Sequence, residues 1–281
     1  MISPFVDVQW LCQNREQVLI ADVRWYLDGR SGREAYEQAH IPDAVYISLD
    51  DVLSEPCPDA HQGRHPLPSP ERFAAGMAAA GAGDTTTVIA YDDAGGVIAA
   101  RLVWMLRVIG RPAALLDGGL AAWPVEELEQ GAADPLTGAC GKPNFTPVPW
   151  PAQAIAQIDE VAGTHAVLLD ARDARRFAGA ADTVDPRAGH IPGARNLPVT
   201  GNLSPDKRLR RPEELRDRFA RAGIGPGTEV ICYCGSGVTA CHNLLALEHA
   251  GLGPGRLFPG SWSQWSRQAG RDAATGPDPA A

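Results

Sequence analysis

The chain has 281 residues, 44% hydrophobic and 21% charged, a balance typical of a soluble globular protein with one or two domains. Its net charge of -9 opposes sequence-independent binding to nucleic acid or to anionic membranes, because both depend on clustered Lys and Arg. The sequence has no apolar run near the roughly 20 residues that cross a bilayer and no signal-peptide pattern at its start, so we expect a cytoplasmic protein.

An internal repeat organises the chain. In the first half, the strand-like run Val-Leu-Ile-Ala-Asp-Val-Arg at 18–24 precedes Ala-His-Ile-Pro-Asp-Ala at 39–44. In the second half, Ala-Val-Leu-Leu-Asp-Ala-Arg at 166–172 precedes Gly-His-Ile-Pro-Gly-Ala at 189–194. Two homologous domains follow from this order. The histidine recurs in both halves, so we expect it to fix the turn rather than to do chemistry.

The elements of each half alternate between two patterns. Runs rich in Val and Ile, such as 87–91 and 229–233, are typical of buried strands. Periodic stretches such as 70–80 and 212–222 are typical of helices. Alternating strands and helices predict an α/β fold, with an open parallel sheet flanked by helices in each half.

Composition places the domain boundaries. We predict an N-terminal domain at 1–130, a Pro- and Gly-rich linker at 131–152, and a C-terminal domain at 153–281. The tail after Gly270 is expected to be frayed. Four cysteines are expected to be small buried residues: Cys12, Cys57, Cys140 and Cys232.

The loop Cys-Gly-Ser-Gly-Val-Thr-Ala at 234–240, here called the cysteine loop, carries the chemistry. It lies where a predicted strand passes into a predicted helix, which is where parallel sheets bind ligands. Gly235 and Gly237 allow the backbone to curl until several N–H groups point at one place. Such a nest at a helix N-terminus lowers a thiol's pKa and holds a thiolate or persulfide anion. We therefore predict that Cys234 attacks a donor's sulfur and carries it as a persulfide.

The cysteine loop, with Gly-His-Ile-Pro-Gly at 189–193 and Gly-Ser-Trp-Ser-Gln-Trp at 260–265, resembles the rhodanese superfamily. Within it, the loop is similar to that of 3-mercaptopyruvate sulfurtransferases. The resemblance implies two tandem rhodanese-like domains, of which the first is inactive because Asp92 stands where the second has its cysteine. It further implies sulfur transfer from 3-mercaptopyruvate to a thiol or cyanide, with release of pyruvate and with thioredoxin as a possible protein acceptor.

The resemblance also implies which residues hold the donor. Arg172 matches the family's substrate-binding arginine, and a bidentate guanidinium suits a carboxylate. Arg176 and Arg187 in the following loop could join it, as could Arg64, although an exposed loop arginine is more often merely solvated. Four residues of the cysteine loop complete the predicted substrate site: Gly235, Gly237, Val238 and Thr239.

A Ser-His-Asp arrangement has been proposed to move protons in this family, and here the matching residues are Ser236, His65 and Asp50. The alternatives are structural. Ser236 could simply satisfy N–H groups of its loop, and Asp50 could cap a helix.

Three other functions compete. A thiosulfate:cyanide sulfurtransferase differs only in its donor, but typical enzymes of that kind place Arg and Lys after the cysteine, where this chain has Gly235 and Ser236. A cysteine phosphatase needs an arginine closing the loop, and 235–242 contains none. The third is a non-catalytic rhodanese-like module that binds a partner or relays sulfur within a complex, and the intact Cys234 argues against a pure binding role. No cofactor motif and no plausibly spaced metal-ligand cluster occur, so neither is predicted.

Overall fold

The structure is a computed structural model that describes residues 2–57, 62–131, 143–180 and 184–277. The described residues divide into two compact units. The first comprises Met1–Glu55, Leu67–Trp150 and Pro205–Leu209, and the second Pro56–Pro66, Pro151–Ser204 and Arg210–Ala281. The segment Pro56–Pro66 therefore belongs to the second unit although it lies in the first half of the sequence. Residues 132–142 of the predicted linker and Cys140 lie outside the described residues, and the boundaries at 131 and 152 remain predictions.

The first unit contains a parallel five-stranded sheet. Its strands are β1 (Phe5–Val6), β2 (Val18–Asp22), β3 (Val45–Tyr46), β4 (Thr87–Tyr91) and β5 (Ala113–Leu116), in the order β1-β5-β4-β2-β3. Its helices are α1 (Val8–Asn14), α2 (Gly32–Gln38), α3 (Pro70–Ala79) and α4 (Ala100–Val108), with 3-10 turns at Arg15–Gln17, Gly119–Ala122 and Val125–Glu127. The helix predicted at 70–80 thus begins where expected, because Ser69 accepts a hydrogen bond from the N–H of Arg72 and Pro70 fits the first turn.

The second unit contains a parallel four-stranded sheet. Its strands are β6 (Val167–Asp170), β7 (Arg195–Asn196), β8 (Val230–Tyr233) and β9 (Arg256–Leu257), in the order β7-β6-β8-β9. Its helices are α5 (Ile158–Val161), α6 (Ala174–Phe177), α7 (Pro212–Arg221), α8 (Ala240–His249) and α9 (Ser261–Trp265), with 3-10 turns at Ala152–Ala154 and Val199–Asn202. The predicted α/β class with parallel sheets flanked by helices is confirmed. None of the helices in the described parts of the chain has the length and apolar character needed to cross a membrane.

The two sheets repeat each other in detail. In the first unit, the hydroxyl of Tyr91 accepts a hydrogen bond from the N–H of Ile41 at 3.1 Å. In the second, the hydroxyl of Tyr233 accepts one from Ile191 at 3.2 Å. Burial raises the pKa of both phenols, so both keep their protons. The tyrosine that ends the central strand thus anchors the His-Ile-Pro turn in each copy.

The repeated histidines are packed inside these turns. His40 stacks on Tyr36 at a ring separation of 4.1 Å, with its Nδ1 2.9 Å from that residue's carbonyl oxygen. His190 stacks on Phe177 at 3.6 Å, with Nδ1 2.8 Å from the carbonyl of Phe177. Both side chains are buried. These contacts support the predicted role of both histidines in fixing the turn.

The chain after Gly270 is more ordered than its composition predicts. His190 and Ala274 exchange two backbone hydrogen bonds of 2.8 and 2.9 Å, and the N–H of Gly276 donates to the carbonyl of Ala178 at 3.0 Å. The prediction of a frayed tail is therefore wrong for 271–277, because these contacts tie the segment to the His-Ile-Pro turn. Residues 278–281 lie outside the described residues.

The cysteines differ in exposure. Cys232 is buried in β8, as predicted, and burial raises the pKa of its thiol. Cys57 is half-buried. Cys12 is exposed, so the prediction of burial is wrong there: on α1 the neighbouring Leu11 faces the core, and the next position turns away from it.

Candidate active site

The cysteine loop follows β8 directly, and Cys234 is only 2% exposed. Gly237 has a φ of 75°, and a Cβ at this position would lie 2.5 Å from the carbonyl oxygen of Pro259. A side chain there would therefore be both strained and obstructed. Helix α8 begins at Ala240, directly after Thr239, so the loop ends at a helix N-terminus as the sequence predicts.

Residues of helix α9 form hydrogen bonds with the backbone of Cys234 and Gly235. The N–H of Cys234 donates to the Oγ of Ser261 at 3.1 Å. The N–H of Trp262 donates to the carbonyl of Cys234 at 3.0 Å, and that of Ser263 to the carbonyl of Gly235 at 2.9 Å. The Gly-Ser-Trp-Ser motif thus holds the nucleophile's peptide groups. The motif was visible in the sequence, but the role of its two serines was not predicted.

Four further N–H groups of the cysteine loop have no acceptor in the described part of the chain. Among the described residues, the N–H groups of Gly235, Ser236, Val238 and Thr239 donate no hydrogen bond. Buried donors without acceptors are rare in proteins, and they favour binding of an anion. A negative charge carried by Cys234 can satisfy them.

Ser236 pairs with His65 inside the second unit. The Nδ1 atom of His65 lies 2.8 Å from the Oγ of Ser236, and both side chains are buried. The two residues before His65 fix its position. The N–H of Arg64 donates to the Oγ of Ser263 at 3.1 Å. A Cβ on Gly63 would lie 2.8 Å from the carbonyl oxygen of Gly260, so the two glycines are in close contact. The structure thus brings together two of the three residues predicted to move protons.

Two of the predicted arginines lie over the cysteine loop. A Cβ on Gly235 would lie 2.9 Å from the Nη2 of Arg64 and 3.6 Å from the Nη1 and Nη2 of Arg176. Arg176 projects from α6, whose first turn is fixed by Asp173 accepting a hydrogen bond from the Arg176 N–H at 3.0 Å. Both guanidinium groups are therefore next to the nucleophile's loop.

A carboxylate and a third arginine join them. Asp185, whose side chain is 0% exposed, forms an ion pair with Arg64 and lies 3.4 Å from the Nη2 of Arg176 and 3.5 Å from the Nη1 of Arg267. Neither Asp185 nor Arg267 was predicted from the sequence, because no motif or periodicity marks either residue.

The comparisons with known proteins agree with this geometry. The rhodanese-like domain family matches residues 7–126 and 151–268, which is most of the chain in two copies.

The chain belongs to the rhodanese-like domain family.

Similar proteins align with nearly the whole length of this chain. A probable 3-mercaptopyruvate sulfurtransferase from Pseudomonas aeruginosa is 41% identical over 266 residues, covering 92% of this chain and 93% of that protein. A putative thiosulfate sulfurtransferase from Mycobacterium tuberculosis is 38% identical over 277 residues, covering 96% and 95%. The crystal structure of a 3-mercaptopyruvate sulfurtransferase from Escherichia coli superposes with a TM-score of 0.79 at 32% identity, covering 93% and 99%. The predicted membership of the rhodanese superfamily is confirmed.

The first rhodanese-like domain fills its corresponding loop with a carboxylate. Asp92, 1% exposed, accepts hydrogen bonds of 2.7 to 2.9 Å from four backbone N–H groups: those of Ala94, Gly96, Ile98 and Ala99. Burial raises the pKa of the Asp92 carboxyl, and these four N–H groups act in the opposite direction. The loop of this domain therefore directs its donors at one point, and here the chain itself supplies the group they bind.

Two predicted substrate arginines are engaged elsewhere. The Nε and Nη2 of Arg172 bond both oxygens of Asp170 at 2.6 to 3.0 Å, and Nη2 also donates to the carbonyl of Gly189. Arg24 makes the same pair with Asp22 in the domain that has Asp92 in place of the catalytic cysteine. The geometry thus shows a repeated ion pair, and donor binding by Arg172 stays a prediction.

Arg187 likewise serves the fold. Its guanidinium donates to four carbonyl oxygens at 2.6 to 3.1 Å: those of Ser266, Arg271, Trp265 and Gln268. This arrangement caps the C-terminal end of α9. The predicted contact of Arg187 with a donor has no support in this geometry.

Asp50 lies in the first unit, where its Oδ2 accepts a hydrogen bond from the Nε1 of Trp25 at 3.1 Å. Its predicted place beside Ser236 and His65 remains a prediction.

Proposed function

We propose that this rhodanese-like protein is a sulfurtransferase that takes sulfur from 3-mercaptopyruvate onto Cys234 and passes it to a thiol or to cyanide. The observation that carries the proposal is the buried Cys234 directly after β8, in a loop where the N–H groups of four residues donate no hydrogen bond among the described residues. Relatives named for this activity in P. aeruginosa and E. coli support the choice of donor.

The first half-reaction loads the cysteine. The thiolate of Cys234 attacks the donor's sulfur, an S–S bond forms, and the C–S bond of the donor breaks. The electron pair of that bond passes to carbon as the enolate of pyruvate, which takes up a proton to become pyruvate. The outer sulfur stays on Cys234 as a persulfide, whose negative charge the loop's N–H groups and the N-terminus of α8 stabilise.

Ser236 and His65 supply the proton in this proposal. The hydroxyl lies in the cysteine loop, and the imidazole is within hydrogen-bond distance of it. Such a pair can move a proton between the reacting centre and the imidazole. Asp50 completes the proposed relay, on the strength of the family resemblance alone.

The donor's carboxylate is assigned to Arg64 and Arg176. Both guanidinium groups lie over Gly235, next to the nucleophile. Arginine presents paired donors that match the geometry of a carboxylate, so it orients the donor as well as attracting it. The backbone N–H groups of Gly235, Gly237, Val238 and Thr239 are proposed to contact the transferred sulfur.

The second half-reaction unloads the cysteine. An acceptor thiolate or cyanide attacks the outer sulfur, the S–S bond breaks, and the thiolate of Cys234 is regenerated. A dithiol protein such as thioredoxin would collect the sulfur and release it as sulfide on forming its own disulfide. This chemistry fits the cytoplasmic location that we infer, where thiols are kept reduced.

Thiosulfate is the second candidate donor. The relative from M. tuberculosis, 38% identical, is named a putative thiosulfate sulfurtransferase, and an arginine pair would also attract the thiosulfate dianion. A non-catalytic binding or sulfur-relay module is the alternative from another class.

The test compares donors and variants. Pyruvate release from 3-mercaptopyruvate with a thiol acceptor is measured beside thiocyanate formation from thiosulfate and cyanide. The wild type, Cys234→Ser and, as a matched control, Cys12→Ser at the exposed cysteine are compared. We expect faster turnover of 3-mercaptopyruvate, its loss in Cys234→Ser and its retention in the control. Faster turnover of thiosulfate would favour the second donor, and no turnover of either would favour the binding module.

A further inference from the structure

Three arginines from separate segments meet at one buried carboxylate in the second unit. Arg64 precedes His65, Arg176 projects from α6, and Arg267 follows α9, yet all three approach the side chain of Asp185. Their own side chains are between 20% and 23% exposed, so they still face solvent. The cluster is thus buried at its centre and open at its rim.

In the described part of the chain, Asp185 is a carboxylate that all three guanidinium groups approach. Without Asp185, the three cations would repel one another and could swing into solvent, since each is held by long flexible bonds. Asp185 therefore decides whether the arginines stay together.

The arginines of the cluster contact the cysteine loop in two ways, directly at Gly235 and through Ser263. The guanidinium groups of Arg64 and Arg176 lie over Gly235, 2.9 and 3.6 Å from where its Cβ would be. The Nη1 of Arg267 donates to the carbonyl of Ser263 at 2.6 Å, and the N–H of Ser263 in turn donates to the carbonyl of Gly235. An anion bound by the arginines is therefore held beside the nucleophile.

We propose that Asp185 is a positioning residue that assembles Arg64, Arg176 and Arg267 into a clamp for the carboxylate of the sulfur donor. The clamp gives Cys234 its preference for sulfur donors that carry a negative charge, and in this form the proposal rests on the sulfurtransferase function. Asp185 touches no donor and acts only through the arginines. Arg267 becomes a specificity-determining residue of the same site.

One test of the clamp is independent of sulfur transfer. Iodoacetate and iodoacetamide alkylate Cys234 by the same displacement, but only iodoacetate carries a carboxylate. The ratio of their rate constants therefore measures how well the site holds an anion beside the thiolate. The alkylated cysteine is identified by peptide mapping, which separates it from the exposed Cys12.

Asp185→Asn should lower this ratio about tenfold and Arg267→Gln about threefold, because a misplaced guanidinium no longer orients the anion. Asp185→Glu should restore most of the ratio, and Asp159→Asn, at an exposed aspartate that pairs with Arg271, should leave it unchanged. In turnover, Asp185→Asn should raise KM for 3-mercaptopyruvate more than it lowers kcat. Transfer from a preloaded persulfide to the neutral thiol 2-mercaptoethanol should keep its rate.

The direction in which Asp185→Asn changes the ratio distinguishes two roles of Asp185: holding the arginines in position, or only reducing the positive charge. If Asp185 only reduced the positive charge, its removal would speed labelling by iodoacetate, and a raised ratio would overturn the proposal. An unchanged ratio in both Asp185→Asn and Arg267→Gln would also overturn it. If Asp185→Asn does not fold, Arg267→Gln decides the matter alone.

Failure of the clamp and failure of the proposed function give different results. If the variants lower the ratio but the wild type turns over neither donor, the clamp is supported and the sulfurtransferase function is rejected. Normal turnover with an unaltered ratio and KM in the variants keeps the function and rejects the clamp.

Discussion

The Nδ1 atom of His65 lies 2.8 Å from the Oγ of Ser236, although 171 residues separate the two along the chain. Both side chains are buried, and Ser236 lies two positions after Cys234. The segment that carries His65 belongs to the same compact unit as the cysteine loop. An imidazole and a hydroxyl are thus in contact beside the nucleophile, which is the arrangement that a proton relay needs.

Removing either member of this pair should slow the loading of Cys234. We expect Ser236→Ala and His65→Gln each to lower the single-turnover rate of pyruvate release about 10- to 100-fold, because the proton must then come from water. His165→Gln, at an exposed histidine of the same unit, is the control and should react normally. Rates equal to the wild type in both variants would assign the pair a structural role.

Gly237 should tolerate no side chain. Gly237→Ala places a Cβ 2.5 Å from the carbonyl oxygen of Pro259 at a φ of 75°, so it adds a backbone clash to the strain of the left-handed region. Gly251→Ala is a matched control, since its φ is 72° and no atom lies within 4 Å of the added Cβ. The control should lose about 1 kcal/mol of unfolding free energy and Gly237→Ala about 3 kcal/mol together with most of its activity. Equal losses in urea titrations of the two variants would contradict the packing described for the loop.

Asp92 should stabilise the first unit through the four N–H groups that it binds. Asp92→Asn keeps the shape of the side chain but turns one acceptor oxygen into a donor that faces N–H groups. We expect a loss of about 2–4 kcal/mol in unfolding free energy, because buried donors then lack acceptors. Asp28→Asn, at an exposed aspartate of the same unit, should leave the unfolding free energy close to that of the wild type. A small loss in Asp92→Asn would show that the loop does not need the anion.

Replacing Arg187 tests whether this arginine stabilises the fold or binds the donor. Arg187→Gln removes a guanidinium that donates to four carbonyl groups around the end of α9. Because those contacts serve the fold, we expect a loss of about 2–3 kcal/mol in unfolding free energy and an unchanged KM for the donor. Arg30→Gln, at an exposed arginine, controls for the charge removed. A raised KM with unchanged stability would restore the donor-binding role predicted from the sequence.

Local patterns predicted the fold well. The duplicated strand and His-Ile-Pro segments predicted two similar sheets, and Pro70 and Pro212 mark the first residues of α3 and α7. Such features depend on neighbours within a few residues, so sequence periodicity reports them.

The contacts of the site depend on distant residues, and this limited the prediction. Asp185 meets Arg64 across 121 positions and Arg267 across 82, and no repeat or motif links them. By contrast, the structural pairing of Arg172 with Asp170 could have been found. The same Asp-x-Arg pattern recurs at Asp22 in the half that lacks a counterpart of Cys234, and it forms the same ion pair there.

Intact-protein mass spectrometry detects a persulfide on Cys234 by its mass. The wild type is treated with 3-mercaptopyruvate without an acceptor, its mass is measured, and the modified residue is located by peptide mapping. We predict a gain of one sulfur atom on Cys234, absent in Cys234→Ser and lost on addition of a thiol. Pyruvate release with no sulfur on the protein, or with the sulfur on another cysteine, would contradict the account.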